Sequence, residues 1–432
     1  MGGIKTLAPQ VVTTPSTATT TPTDVPDVST LSKDHDVKPA KGALSRVAAA
    51  IGSAIRGAFK SLSNLKVALK TPPPDAARVG KPFKTLGHAK AAFVNQCRER
   101  MQAMDAGVAD TLSMRTARNV EGLSNQQKVD VYHYTNERST VGYHAMNALI
   151  RGSLDPSQFA SDKLNEVKQN LSAAFGLDRM EARVPADQRQ EFRKFAEDYV
   201  MCTMAQKAMN VREGLAKLPI HQGITDRGMA DFPGKVDKLK SMLSSPGKVD
   251  FAYEAAFASS TSKVQTPAQV KSHPVNRAGF TNDISLLTIC RAGKDVQAVS
   301  ALSREAEILF PSSARFEVFG HKEVQGSGSD TGTASQAAKA KQVFFQLELS
   351  AEDHSAFKEL EGLQKKMDAD AGYKPNASEQ KALTHAKDFN AYVQGQMGEF
   401  AKLGWDGDLA PPTPNTCKFF DEVMAEAAKR TT

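Results

Sequence analysis

Apolar positions along the chain keep a helical period in some stretches and a strand-like texture in another. In AKGALSRVAAAIGSAIRGAFKSLSNLKVALK, the residues Leu44, Val47, Ile51, Ile55, Ala58, Phe59, Leu62, Leu65 and Leu69 recur at three- and four-residue steps, the period of one helix face. The run TPPPD at Thr71–Asp75 ends that helix, because proline cannot continue one. From about Lys81 to Lys217 the helical period persists, as in HAKAAFVNQCRERMQAM and QRQEFRKFAEDYVMCTMAQKAMNV. From Gly223 to about Leu349 it gives way to the short β-rich runs ITDRGM, FAYEAAFASSTS, ISLLTIC, DVQAVS, AEILF, RFEVFG and VFFQLEL, parted by Gly, Pro, Ser and Asn. Between the last two, QGSGSDTGTASQAAKAK has the composition of a flexible loop. From Ser350 onward helical periodicity returns, interrupted by GYKPN and DLAPPTPN. The pattern predicts an α+β protein, helical first, β-rich second, with a helical C-terminal extension.

Composition adds limits. With 432 residues, 40% hydrophobic and 24% charged, the chain is built for one to three globular domains. Residues 1–40 are different: nine Thr, three Ser and five Pro without apolar periodicity cannot bury enough surface to offset ordering, so residues 1–42 are expected to be disordered. Residues 43–80 are expected to form the amphipathic helix and a proline-rich linker. Between Ala43 and Lys70 every charge is positive (Arg46, Arg56, Lys60, Lys66, Lys70), which suits an anionic membrane or a partner's groove as well as the protein's own core. No apolar stretch is long enough to span a membrane, and the start lacks the apolar run of a cleavable secretory signal. Cys97, Cys202, Cys290 and Cys417 stand singly, without metal-ligand spacing, so reduced thiols and no metal are expected. The net charge of +7 requires no nucleic acid. Neither a Walker sequence nor a GxGxxG after a strand is present.

Four separated pieces carry candidate chemistry. VYHYTNERSTVGYHAMNALIRGSL is helix-like, with Tyr134, Tyr143, Asn147 and Arg151 among apolar positions. LAKLPIHQGITDRGM delivers Arg227, then Gly228, on a short strand, and an arginine there offers a planar fork of donors to a phosphate. AAFASSTSK carries hydroxyls at Ser259, Ser260, Thr261 and Ser262. SALSREAEILFPSSARFEVFG places Glu305 and Glu307 two apart at the start of an apolar strand, where both carboxylates are expected on one face.

In this order the pieces resemble the arginine, STS, ExE class of mono-ADP-ribosyltransferases, which takes in exoenzyme S-like enzymes and type III effectors. The resemblance spans about Val129 to Leu349. A family helix reading YT, Y, IN and LRG is matched by Tyr134-Thr135, Tyr143, Met146-Asn147 and Ile150-Arg151-Gly152, with Met146 where Ile is usual. LP followed by VYRG is matched by Leu218-Pro219 and Thr225-Asp226-Arg227-Gly228, with Asp226 in place of the common Tyr. The F-x-S-T-S strand is matched by Phe257 to Ser262 with one extra serine. Either Ser259 or Ser260 can therefore be the motif hydroxyl, and the intact triplet Ser260-Thr261-Ser262 favours Ser260. ExEILFP is reproduced by Glu305 to Pro311.

The resemblance implies an ADP-ribosyltransferase fold, a helical N-terminal half packed on a split, mostly antiparallel β-sandwich, in a domain over 81–349 with its core at 129–349, followed by the extension at 350–432. It implies NAD as co-substrate and no metal. Glu307 would be the catalytic carboxylate, held by Ser260, and Arg227, Gly228, Ser260, Thr261, Ser262 and Glu307 would bind NAD. Glu305 would attract an acceptor arginine on a host protein. A secreted bacterial effector acting in the host cytosol or at its membranes follows, with a secretion chaperone as a possible N-terminal partner. The alternatives are a catalytically silent binding or scaffold protein and an NAD glycohydrolase.

Overall fold

The computed structural model describes residues 81–431 apart from 115–119, 121, 137–138, 155–160, 230–233, 244–248, 273–283 and 326–339. The segments expected to be disordered at 1–42 and helical at 43–80, and most of the QGSGSDTGTASQAAKAK loop, lie outside these residues.

The first half is helical: α1 (Leu86–Met114), α2 (Asn125–Thr135), α3 (Tyr143–Leu154), α4 (Ser161–Ala174), a short α5 (Leu177–Glu181) and α6 (Arg189–Lys217). α2 starts on a capping box, in which the Gln127 N–H donates to the Ser124 hydroxyl and the Ser124 N–H to the Gln127 side chain. α6 is the hub. Its first half packs Phe192, Ala196, Val200 and Met204 against Phe93 and Cys97 of α1 and Leu149 of α3. Its second half sets Ala208, Val211 and Leu215 beside Tyr134, Met146 and Ile150 and the strand residue Leu309. α2 and α3 therefore sit between α6 and the sheet, which is what fixes the site.

The β half contains β1 (Gly223–Met229), β2 (Ala252–Glu254), β3 (Ala258–Thr261), β4 (Ile284–Cys290), β5 (Lys294–Asp295), β6 (Glu307–Phe310), β7 (Ala314–Val324) and β8 (Lys341–Leu349), with short helices α7 (Lys235–Ser241) after β1 and α8 (Pro267–Ser272) after β3. Their order is β2-β7-β8-β4-β1-β3-β6-β5, antiparallel except for the β4/β8 pair. Between β1 and β3 the ladder narrows to one residue pair, Asp226 with Thr261. The sheet encloses a core of Met229, Ala258, Leu286, Ile308, Phe310, Phe316 and Phe344.

The other face of β4 and β8 is covered by α9 (Ala351–Ala369), α10 (Ala377–Lys402) and α11 (Asn415–Thr431), which share a core with Ile224, Leu287, Phe345 and Leu347. Every residue of β4 is buried, because both of its faces are covered, and ISLLTIC accordingly reads as an unbroken apolar run. At the start of α11 the buried Glu317 carboxylate of β7 accepts the Asn415 N–H at 2.6 Å, the Thr416 N–H at 3.2 Å and the Thr416 hydroxyl at 2.6 Å. An anion at a helix N-terminus satisfies donors that have no partner within the helix.

Two runs depart from the expected strands. FAYEAAFASSTS is split into β2 and β3 by residues 255–257. DVQAVS yields only β5 and then a turn, in which the Val299 and Ser300 N–H groups donate to the Val296 carbonyl. Val296 and Val299 are three apart and both enter the core with Leu309, a spacing that a turn satisfies and strand alternation does not.

Candidate active site

β6 begins at Glu307, and the chain reaches it through a tight turn. Ser303–Glu305 form a 3₁₀ turn, and Ala306 then takes a left-handed conformation with φ 51° and ψ 51°. For a residue with a Cβ this is an uncommon backbone state. Glu305 and Glu307 are consequently not alternate residues of one strand, as their spacing suggested. Glu305 is exposed on the turn, whereas Glu307 is buried at the strand start.

β3 supports this turn along its length. The Thr261 hydroxyl donates to the Glu305 carbonyl, and the Ser262 N–H donates to the Ala306 carbonyl at 3.0 Å. Pairing of Thr261 with Glu307 and of Ser259 with Leu309 puts those side chains on one face, and Ala258, Ser260, Ile308 and Phe310 on the other. Register thus decides between the two serines. Ser259 Oγ donates to Glu307 Oε1 at 2.7 Å. Ser260, expected to hold Glu307, instead points into the sandwich, where its buried hydroxyl makes no hydrogen bond among the described residues. A shift of one residue along a strand reverses the face, so the extra serine in the motif moves the role to its neighbour.

A residue that sequence reasoning passed over completes the grip. Ser300, in the turn after β5, donates to Glu307 Oε2 at 2.7 Å. Nothing in DVQAVSALS marks this serine, since its partner is reached only through the turn.

The helix motif acts on the approach to β3. Tyr134 Oη and Asn147 Nδ2 donate to the Phe257 carbonyl at 3.1 and 3.2 Å, and Asn147 Nδ2 lies 3.0 Å from Tyr134 Oη. Arg151 pairs with the buried Glu254 at 3.3 Å. Burial pushes the Tyr134 hydroxyl well above the ordinary tyrosine range, opposed by its bond to Asn147. Glu307, Arg151 and Arg227 also act electrostatically on that hydroxyl.

Arg227 lies on β1 beside Asp226, whose partner across the ladder is Thr261. Alternation therefore carries Arg227 to the face opposite the Glu307 row, where it lines a cleft with Lys235, Glu254, Thr288, Gln346 and Phe310. Gly228 follows it, exposed, opposite Ser285. Asp226, standing where the resembled motif has Tyr, accepts the Ser285 hydroxyl at 2.5 Å and the Gln265 N–H at 3.2 Å.

No protein-family model and no curated protein matches the sequence. Among solved structures the chain is similar to Plx2a, an ADP-ribosyltransferase toxin from Paenibacillus larvae, at 11% identity and a TM-score of 0.32 over 57% of this chain and 96% of that one. It is similar to the ATR domain of Salmonella SpvB at 19% identity and 0.31, over 52% and 99% of the two chains. It is also similar to the ADP-ribosyltransferase HopU1 of Pseudomonas syringae at 17% and 0.27, over 54% and 78%. Scores this low carry neither a fold nor an activity over to this chain. Its own side chains must bear the functional reading: a carboxylate gripped by two hydroxyls, a second carboxylate exposed two residues earlier, and a cleft lined by Arg227 and Lys235.

Proposed function

We propose that this chain is a mono-ADP-ribosyltransferase that transfers ADP-ribose from NAD to an arginine of a host protein and releases nicotinamide. The observation that carries the reading is the 2.7 Å bond from Ser259 to Glu307, which joins the serine-rich strand to the second glutamate of the Glu305-Ala306-Glu307 run. Breaking the N-glycosidic bond of NAD builds positive charge on the ribose, as in other glycoside chemistry. Nicotinamide departs neutral from a cationic precursor, so no general acid is required. A fixed carboxylate next to the developing cation is required, and a pre-oriented Glu307 would supply it.

The substrate suits the residues present. Arg227 would supply the planar fork of donors that a diphosphate needs. Glu305 has a separate role. An arginine side chain stays protonated at neutral pH, so a carboxylate must attract the guanidinium and take its proton as the new bond forms. An exposed position on a turn, apart from the buried Glu307, fits a group that meets a protein acceptor. The Asp226 replacement does not argue for a silent binding protein, because its bonds to Ser285 and Gln265 give it a structural role. Delivery into a host cell is read from the Thr-rich first 42 residues and the basic stretch Ala43–Lys70.

Labelled NAD incubated with the protein and a eukaryotic lysate should label one or a few bands, and none with Glu307→Ala. Glu305→Gln should abolish protein labelling while retaining part of the NAD hydrolysis. Equal loss of both activities in that variant would contradict the division of labour between the two glutamates.

A further inference from the structure

We infer that Ser300 is a positioning residue for Glu307, a role that rests on the reading of Glu307 as the group facing the developing cation. The last torsion of a glutamate is broad and nearly two-fold, so a carboxylate held at one oxygen can still swing. Here the two oxygens have separate donors: Ser259 on Oε1 and Ser300 on Oε2, each at 2.7 Å. Two hydroxyls from different segments fix both the position and the plane of the group.

Ser300 is itself held so that its proton goes to the carboxylate. It is fully buried, its N–H donates to the Val296 carbonyl at 2.8 Å, and its Oγ accepts the Leu302 N–H at 3.0 Å. With Leu302 supplying a proton to the oxygen, the hydroxyl's own proton is directed to Glu307. The segment is anchored on both sides. Val296 and Val299 are packed in the core with Tyr134 and Leu309, and the Ala301 N–H donates to Thr135 Oγ1 at 2.8 Å. Thr135 closes α2, so the helical half reaches the carboxylate through Thr135, Ala301 and Ser300. A serine serving only to stabilise the turn through Leu302 would have no need to aim its proton at Glu307.

The test compares wild type, Ser300→Ala, Ser300→Cys and the double variant with Glu307→Gln. It reads nicotinamide release from NAD, thermal unfolding, and the ¹³C carboxyl resonance of Glu307, assigned by its loss in Glu307→Gln. Loss of a hydrogen bond to a charged group predicts a kcat reduced about tenfold in Ser300→Ala with KM changed less than about twofold. Ser300→Cys, a weaker donor of similar size, should fall between wild type and Ser300→Ala. In the Glu307→Gln background, Ser300→Ala should cause no further loss, because residues acting through one group are not additive. The Glu307 resonance should move in Ser300→Ala. An unchanged kcat, an additive loss, or an unmoved resonance would overturn the proposal. If wild type releases no nicotinamide, the NAD reading fails, and the resonance still decides: movement supports the clamp and no movement rejects it.

Discussion

At the scale of single residues, the site turns on which hydroxyl meets which carboxylate oxygen. Ser259 and Ser260 are neighbours of identical chemistry, yet one donates to Glu307 and the other points into the sandwich without a hydrogen bond among the described residues. Composition and motif spacing cannot separate them, because only the pairing of β3 with β6 states which face each occupies. Ser259→Ala should lower nicotinamide release about tenfold to a hundredfold, the cost of a lost bond to a charged group. Ser260→Ala should leave the rate within about twofold, since it removes a buried hydroxyl that makes no hydrogen bond among the described residues. Side-by-side rates for the two variants check this, and a larger loss for Ser260→Ala would reverse the assignment. Glu305 and Glu307 were legible as two carboxylates two residues apart, but the left-handed Ala306 between them was not, because alanine rarely signals that conformation.

At the scale of elements, periodicity gave the helical half, the β half and the helical tail, since each buries a repeating face. Sequence pattern misread DVQAVS because Val, Gln and Val suit a strand locally, while the burial of Val296 and Val299 three apart demands a turn. That turn is where Ser300 is presented. The polar positions of α2 and α3 read as interruptions of apolar faces, and in the structure Tyr134 and Asn147 together hold the 255–257 bend ahead of β3. Asn147→Ala removes donors to the Phe257 carbonyl and Tyr134 Oη, and should cost about 1–3 kcal/mol in chemical denaturation. Nicotinamide release should fall with it, because β3 carries Ser259. Stability lost with no effect on rate would detach this bend from the site.

At the scale of the whole molecule, the helical tail is not a loose appendage, since α9–α11 share one core with β4 and β8 and are pinned by buried carboxylates. Burial works to raise the Asp353 carboxyl, but the Arg291 fork, at 3.0 and 2.7 Å, together with Ser350 and His385, holds it below the usual carboxylate range. In the helical half, burial likewise opposes ionisation of Asp105, and His133 and Lys207 bring it down to about 2. Carboxyls lowered in the folded state contribute stability that is present above their unfolded values, near pH 4, and lost as pH falls through the folded ones. Glu317 and Glu348 have the opposite sign: burial pushes both up, so their contribution is present below about pH 4 and declines as pH rises through the raised values. The acid limb of thermal stability should therefore fall between about pH 4 and pH 2, and Asp353→Asn should flatten it while lowering the melting temperature at neutral pH. An unchanged acid limb in that variant would remove Asp353 from the account. The claim that joins all three scales is that the gripped Glu307 carboxylate cleaves NAD. Nicotinamide release by the purified chain, measured beside Glu307→Gln, tests it most directly: the account predicts turnover by the wild type and a loss of about a hundredfold to a thousandfold in the variant, whereas a variant that matches the wild type would contradict it.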